Sequence, residues 1–292
     1  MDQRFRDPCY DSLAITGIGH VLSTPCDPRP WLKVKKNRKF MGAQDDLALV
    51  SAGRALESAG LLGVSLGERA GLYLAVGYIP FEEEDIDSLL EVSADSEGFC
   101  MERFSTEGYD AVNPLLTFKC LSNMPAFHIS ANFDIQGPYF VTYPGTGQFY
   151  LALEEACSAL KMGLIDVALV SGVAHQRNFL VNHHFNRISF PVPSERLLDG
   201  AGCLVIESKN HAAERKAQIR GRMLNCDVSY STFHPFEDRL HHTERFEGLT
   251  GADGELGPAS LPVALSLGSH GYIHHEAETR DGIAASSEWE LL

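Results

Sequence analysis

The chain has 292 residues, 44% of them hydrophobic, which is enough to bury a large core in one big domain or two merged halves. Its 24 Lys and Arg against 39 Asp and Glu leave a net charge of −15, a balance that repels phosphate backbones and anionic headgroups. Nucleic-acid and membrane-surface roles are therefore not expected, and an acidic carrier protein would dock more readily on a basic partner than here.

Seven cysteines are scattered without a CxxC pair, the pattern of reduced thiols in a cytosolic protein rather than a disulfide framework. The opening MDQRFRDPCYD has no apolar leader, and no apolar run approaches ~18 residues, so neither export nor membrane insertion is signalled.

Along the chain, short strand-like runs alternate with longer helical ones. Leu13 to Gly19 reads as a strand ending in glycines. Gln44 to Gly60 has the apolar stripe of a helix, with Gly60 suited to a left-handed cap. Ala70 to Gly77 is a continuous apolar strand of the kind covered on both faces.

Glu82 to Glu107 is acidic and weakly periodic, the mark of a surface excursion with a short helix. Phe140 to Thr142 is a strand running into a Pro144-Gly145 turn, and Gln148 to Met162 is a helix stopped by Gly163. Asp166 to Gly172 is the next buried strand, while Gly202–Glu207 and Gln218–Leu224 read as an adjacent pair. From about His234 the pattern turns polar and less regular. Strands separated by crossover helices indicate an α/β layered fold.

Several segments resemble, in order and spacing, the ketosynthase pattern of the β-ketoacyl-acyl-carrier-protein synthases. They are ITGIG near the start, Lys39-Phe40-Met41 before the LALVSAGRALESAGL helix, and Asn123-Met124-Pro125-Ala126 with His128-Ile129-Ser130 and Gly137-Pro138. LEEACSALKMGLIDVALVSGVA and Ser194 to Glu207 continue the likeness, which covers roughly residues 1–235, with 236–292 as an abbreviated segment completing the same fold. The resemblance implies a thiolase-like α/β/α fold with a shortened C-terminal half.

In that family a strand and tight turn place a cysteine at the start of a buried helix, whose N-terminus favours the thiolate and the oxyanion. By family spacing that position falls on Thr146, between Gly145 and Gly147. Cys157, eleven residues on, reads as a small core residue. The histidine-bearing segments of the second half have no clear counterpart; Gly254 to Ser260 is the nearest, with Glu255 at the histidine position.

The resemblance then implies a cysteine-less homologue of the chain-length-factor type, non-catalytic and without cofactor or metal. Such a subunit pairs with a catalytic ketosynthase in a heterodimer and meets the acyl carrier protein mainly through that partner. This is a cytoplasmic role in polyketide or fatty-acid elongation, with aryl-polyene systems among the candidates. Leu115, Leu116, Phe118, Leu121, Met124 and Phe127 are the candidate tunnel and interface residues, with His128 hydrogen-bonded in the same segment.

Two other readings stand beside this one. An active acyltransferase or malonyl decarboxylase would use Thr146 with an adjacent base or a residue from a partner. A binding module would use the histidine pairs His183-His184, His241-His242 and His274-His275, but adjacent histidines diverge on helix and strand alike and make poor joint ligands. They read instead as solvated or capping side chains. Gly17 and Gly19 lack the continuation of a dinucleotide motif. The basic run Lys33 to Lys39 reads as a solvated loop within reach of a carrier protein or an acidic rim.

Overall fold

The computed structural model describes residues 10–23, 25–187, 192–230, 243–248 and 254–292. Its nine main strands are β1 (Leu13–Val21), β2 (Ala70–Val76), β3 (Tyr139–Thr142), β4 (Val167–Ala174), β5 (Gly200–Ser208), β6 (Gly221–Tyr230), β7 (Thr243–Glu247), β8 (Gly271–Glu278) and β9 (Ile283–Leu291). They form one sheet in the order β3-β2-β4-β5-β1-β6-β9-β8-β7. β2 runs parallel to β3 and β4, and every other neighbour pair is antiparallel.

Helices α1 (Ala43–Ala59) and α3 (Met124–Phe133) cover one face of this sheet. Helices α4 (Gln148–Lys161) and α6 (Ser260–Leu267) pack on the other. The layered α/β/α expectation holds. The acidic excursion contains α2 (Glu83–Ser93), and α5 (Phe179–Arg187) follows β4.

Sequence explains the tightest layer contact. A Cβ on Gly17 would lie 2.2 Å from the Ala55 carbonyl oxygen, and one on Gly19 would lie 2.4 Å from the Ala55 nitrogen. Those glycines let α1 press its alanine-rich face against β1. The helix ends at Gly60, which takes the left-handed conformation at φ +69°.

Two expectations change. The segments near Gly202 and Gln218 are not neighbours, because β1 lies between β5 and β6. Chain order suggested a hairpin, but β1 pairs along its whole length with β5 and takes that edge first. The polar stretch after His234 is also more regular than its composition indicates. The boundary near residue 235 and His241-His242 lie outside the described residues, but β7, β8, β9 and α6 all belong to this part of the chain.

β9 alternates buried and half-buried residues throughout, with Ile283, Ala285, Ser287, Trp289 and Leu291 inward. Its inward set includes Ser and Ala, so the apolar alternation is faint in sequence although the pleat is regular. The sheet brings this part of the chain back to α4. His275 on β8 accepts or donates at Nδ1 to the Tyr150 hydroxyl of α4, which also meets Ser287 Oγ at 2.9 Å, and Trp289 Nε1 donates to that same Oγ at 2.8 Å.

His275 is thus a fully buried bridge rather than a solvated or capping residue. Its neighbour His274 points the other way, near Glu247 and Glu276, as strand alternation requires. Among the described residues no helix is long and apolar enough to cross a membrane.

Trp289 is fully buried, so truncating it leaves a large cavity. Trp289→Ala is expected to cost about 3–5 kcal/mol in urea unfolding, read as one cooperative transition shifted to lower urea. Two separate transitions would show that β6–β9 and the remaining strands fold as independent units.

Candidate active-site region at the start of helix α4

β3 ends at Thr142, and the chain turns through a cis Tyr143–Pro144 bond into Gly145-Thr146-Gly147, after which α4 begins. The Thr142 hydroxyl donates to the Gln148 carbonyl at 3.0 Å and ties the turn to the helix. Neither glycine is incidental. A Cβ on Gly145 would lie 2.6 Å from the Asp281 carboxyl carbon, and one on Gly147 would lie 2.6 Å from Ile283 Cβ and 2.7 Å from Thr279 Oγ1. The turn between β8 and β9 therefore sits directly on the start of α4.

Gln148 Nε2 donates to Asp281 Oδ2 at 2.8 Å, while Oδ1 of that carboxylate is buried without a hydrogen-bond partner among the described residues. The carboxylate faces the positive end of the α4 dipole, a favourable place for an anion. Arg280 donates twice to Glu255, at 2.8 and 3.0 Å, and its guanidinium lies 5.2 Å from the Phe185 ring. The Gln176 side chain donates to the Glu255 and Leu198 carbonyls.

Thr146, Tyr78, Gln176, Glu255, Arg280 and Asp281 line a cavity of about 210 Å³. Burial pushes the Tyr78 phenol up to about 12, so it stays protonated at neutral pH. No histidine, lysine or cysteine lines this cavity among the described residues. His184 packs on Tyr78 with rings tilted by 40° and centroids 4.6 Å apart, but it does not belong to the cavity lining. Cys157 is on the core-facing side of α4 and is buried.

The sequence-picked residues divide. Gly145, Thr146 and Gly147 are brought together with Glu255, which sequence placed at the counterpart of a family histidine. The other set lies elsewhere, and none of Leu115, Leu116, Phe118, Leu121, Met124 and Phe127 lines the Thr146 cavity. Leu115 and Leu116 are half-buried and Met124 is buried.

Phe118, Leu121 and Phe127 are exposed, at 41%, 45% and 49%. Tyr139, Phe140 and Tyr143 add exposed aromatic surface on and beside β3, whose free side is the edge of the sheet.

His128 is fully buried, and its imidazole faces the Phe40 backbone, which favours the charged ring but is outweighed by burial. Its ring also packs edge-on to Phe127, with centroids 5.2 Å apart. Asp281, Arg280, Tyr78 and Gln176 were not picked from sequence. The Asp281-Gly282 pair between two alternating segments is a hairpin signal that marks the turn, though not what the turn touches.

Among the described residues, no group of three or more His, Cys, Asp and Glu is arranged to hold a metal ion. Neither His183-His184 nor His274-His275 contributes to such a cluster among the described residues.

The profile of the β-ketoacyl synthase N-terminal domain matches residues 13–194. The chain belongs to the β-ketoacyl synthase family. A curated relative, the mitochondrial 3-oxoacyl-[acyl-carrier-protein] synthase of Arabidopsis thaliana, is 23% identical over 226 residues. That match takes in 71% of this chain and 46% of the relative, so the chain spans about half the length of the curated relative it matches.

Among solved structures, a type II polyketide synthase acyl-carrier protein in complex with its ketosynthase bound to the hexaketide matches with a TM-score of 0.72 and 12% identity. The ishigamide ketosynthase/chain length factor matches with a TM-score of 0.66 and 16% identity. Each match covers 96% of this chain and 99% of the other. At those identities they establish the fold that this member of the family shares.

Burial holds the His128 imidazole down to about 4, from an ordinary 6.5. A depressed histidine supports the fold fully above its unfolded value and loses that contribution as pH falls from 6.5 through 4. Unfolding free energy measured across this range is expected to drop on acidification, and His128→Leu is expected to flatten that limb. An unchanged limb in the variant would assign the acid sensitivity to other groups.

Proposed function

We propose that this chain is a non-catalytic, chain-length-factor-like subunit that pairs with a catalytic ketosynthase and shapes its acyl tunnel during polyketide or fatty-acid elongation. The observation that carries the reading is the chemistry around Thr146. By family spacing the cysteine position falls on the Thr146 hydroxyl, and no side-chain base lines up with it in the cavity among the described residues. A threonine nucleophile needs such a base.

The helix start that would favour a thiolate and an oxyanion instead faces the Asp281 carboxylate, held by Gln148. A second anion beside it meets repulsion at short range. Arg280, the one cation of the cavity lining among the described residues, is already paired with Glu255 in two hydrogen bonds. These features also disfavour the acyltransferase and decarboxylase readings, since decarboxylation needs donors free to hold a thioester carbonyl.

The partner assignment draws on exposed surface. β3 offers an unpaired sheet edge that carries the exposed Tyr139 and Phe140, with Tyr143 just past its end, and a face of this kind, once covered, is what a stable subunit interface requires. The likeness to the ishigamide ketosynthase/chain length factor supports the same arrangement. The basic run Lys33 to Lys39, at an exposed 3-10 helix over Lys35–Phe40, is the surface on this chain most suited to an acidic carrier protein.

Co-expression with a catalytic ketosynthase and purification through a tag on one chain tests this reading. A one-to-one complex that condenses malonyl thioesters is expected, with activity changed less than about twofold by Thr146→Ala. Condensation by the isolated chain, abolished in Thr146→Ala, would refute the non-catalytic role.

Large-to-small changes at Leu115, Leu116 or Phe118 are expected to lengthen the products if these residues close the tunnel. An unchanged product distribution in all three variants removes them from that role.

A further inference from the structure

One end of the sheet has an outer face without a covering layer. Strands β6, β9, β8 and β7 turn inward residues such as Ile273, Ile283 and Trp289 into the core they share with α4. On the opposite face Asp227, Arg245, Glu276 and Glu278 are exposed, and Ser286 and Glu288 are half-buried. Strand register sets these side by side, with Asp227 across from Ser286, Ser286 across from Glu276, and Glu276 across from Arg245.

That face is acidic. Arg222 is taken by Glu290, and Glu247 and Glu276 share the half-buried His274 at 3.8 and 3.6 Å. Asp227, Glu278 and Glu288 have no cationic partner among the described residues. Asp227, Glu276 and Glu278 line a shallow trough of about 400 Å³ with the small side chains of Ala284 and Ser286, and Arg245 is the one cation of its lining among the described residues.

The opposite charge is concentrated elsewhere on the chain. Lys33, Lys35, Lys36 and Lys39 are exposed and form no ion pair among the described residues, whereas Arg38 is held by Asp46. Lys35–Phe40 is a 3-10 helix, in which residues three apart lie one above the other. Lys36 and Lys39 are therefore neighbours, about 6 Å apart along its axis. Glu276 and Glu278, two apart on one face of β8, are about 6.6 Å apart. The helix is about 12 Å long and the four-stranded face about 14 Å across, so the surfaces match in sign, spacing and size. Within one chain no ion pair joins them among the described residues.

We propose that this sheet face receives the basic 3-10 helix of a second copy of the chain, with Lys36 and Lys39 against Glu276 and Glu278. The contact is heterologous: each copy in a pair keeps one face or one helix free, so association can extend. The net charge of −15 opposes it at long range, but at ~0.15 M salt that repulsion is screened beyond about 8 Å, while charges in contact are screened much less. The contact uses neither Thr146 nor the β3 edge, which lies at the other end of the strand order.

Sedimentation equilibrium of the full chain at ~0.1 M and ~1 M salt tests it. The average mass is expected to rise above the monomer's with concentration at the lower salt and to fall back at the higher, whereas apolar association through the β3 edge would persist there. Glu276→Lys with Glu278→Lys, and separately Lys36→Glu with Lys39→Glu, are each expected to weaken association about tenfold or more. The first pair brings the net charge closer to zero, which by itself would favour association, so a loss reports the local contact. Combining both pairs in one chain is expected to restore association. All four side chains are exposed, so the variants keep their fold.

A monomer at every concentration up to ~0.5 mM in ~0.1 M salt overturns the proposal. So does association that survives either reversal, since another segment then occupies the face or receives the lysines, or association that the combined variant fails to restore. Glu83→Gln with Glu84→Gln, on the exposed acidic start of α2, is expected to leave association unchanged. A loss there as large as at the sheet face would assign the attraction to the acidic excursion and overturn the proposal as well.

Discussion

The close approach of the β8–β9 turn to the first residues of α4 is the contact on which the remaining architecture turns. It exists because Gly145 and Gly147 have no side chains to hold Asp281 and Ile283 away. It is stabilised because a carboxylate at a helix start meets partial positive charge and here also accepts from Gln148. Once that contact is made, β8 and β9 are drawn against α4, and the buried chain Glu244–His275–Tyr150–Ser287–Trp289 extends it through the core. Every member of that chain finds a partner, which makes a buried polar network a source of specificity rather than a cost.

The same contact sets the chemistry of the Thr146 cavity. An enzyme that stabilises an oxyanion leaves its helix start and neighbouring donors free until substrate arrives. Here the donors are committed: Gln148 to Asp281, Arg280 to Glu255, and Gln176 to the backbone of Leu198 and Glu255. The fold of a β-ketoacyl synthase is retained while the side-chain amides and the guanidinium at its centre are engaged with neighbouring protein groups. Under the proposed function, what this arrangement provides is a rigid shape and an exposed sheet edge. A partner that supplies the chemistry would cover that edge.

Strand alternation also separates two sites with one backbone. His175 and Gln176 follow directly on β4 and face different cavities, so adjacent residues answer to different surroundings. Burial pulls His175 down, but the Asp199 and Glu82 carboxylates outweigh it and hold the imidazole above its ordinary range. That leaves the cavity beside His175 with ion pairs in its wall, His175 to Glu82 and Lys119 to Asp85.

Much of the fold was legible because its signals are local. The alanine-rich stripe of α1, its Gly60 cap and the continuous apolar runs of β2 and β4 each follow from neighbouring residues in the chain. The ordered motifs also identified the family and located Thr146 between its two glycines. What remained hidden depends on pairs far apart in sequence. β1 separates β5 from β6 through long-range pairing, and β8 and β9 carry inward His, Ser and Ala that mimic surface composition.

Glu255, Arg280 and Asp281 lie more than a hundred positions from Thr146, and nothing in a Thr-Arg-Asp-Gly turn states which helix it will touch. Sequence by itself thus determined the α/β class and the family, and by family spacing it pointed to Thr146. Only the tertiary structure decided that Asp281, Arg280 and Glu255 surround it, because a helix dipole and two missing side chains act through space rather than along the chain.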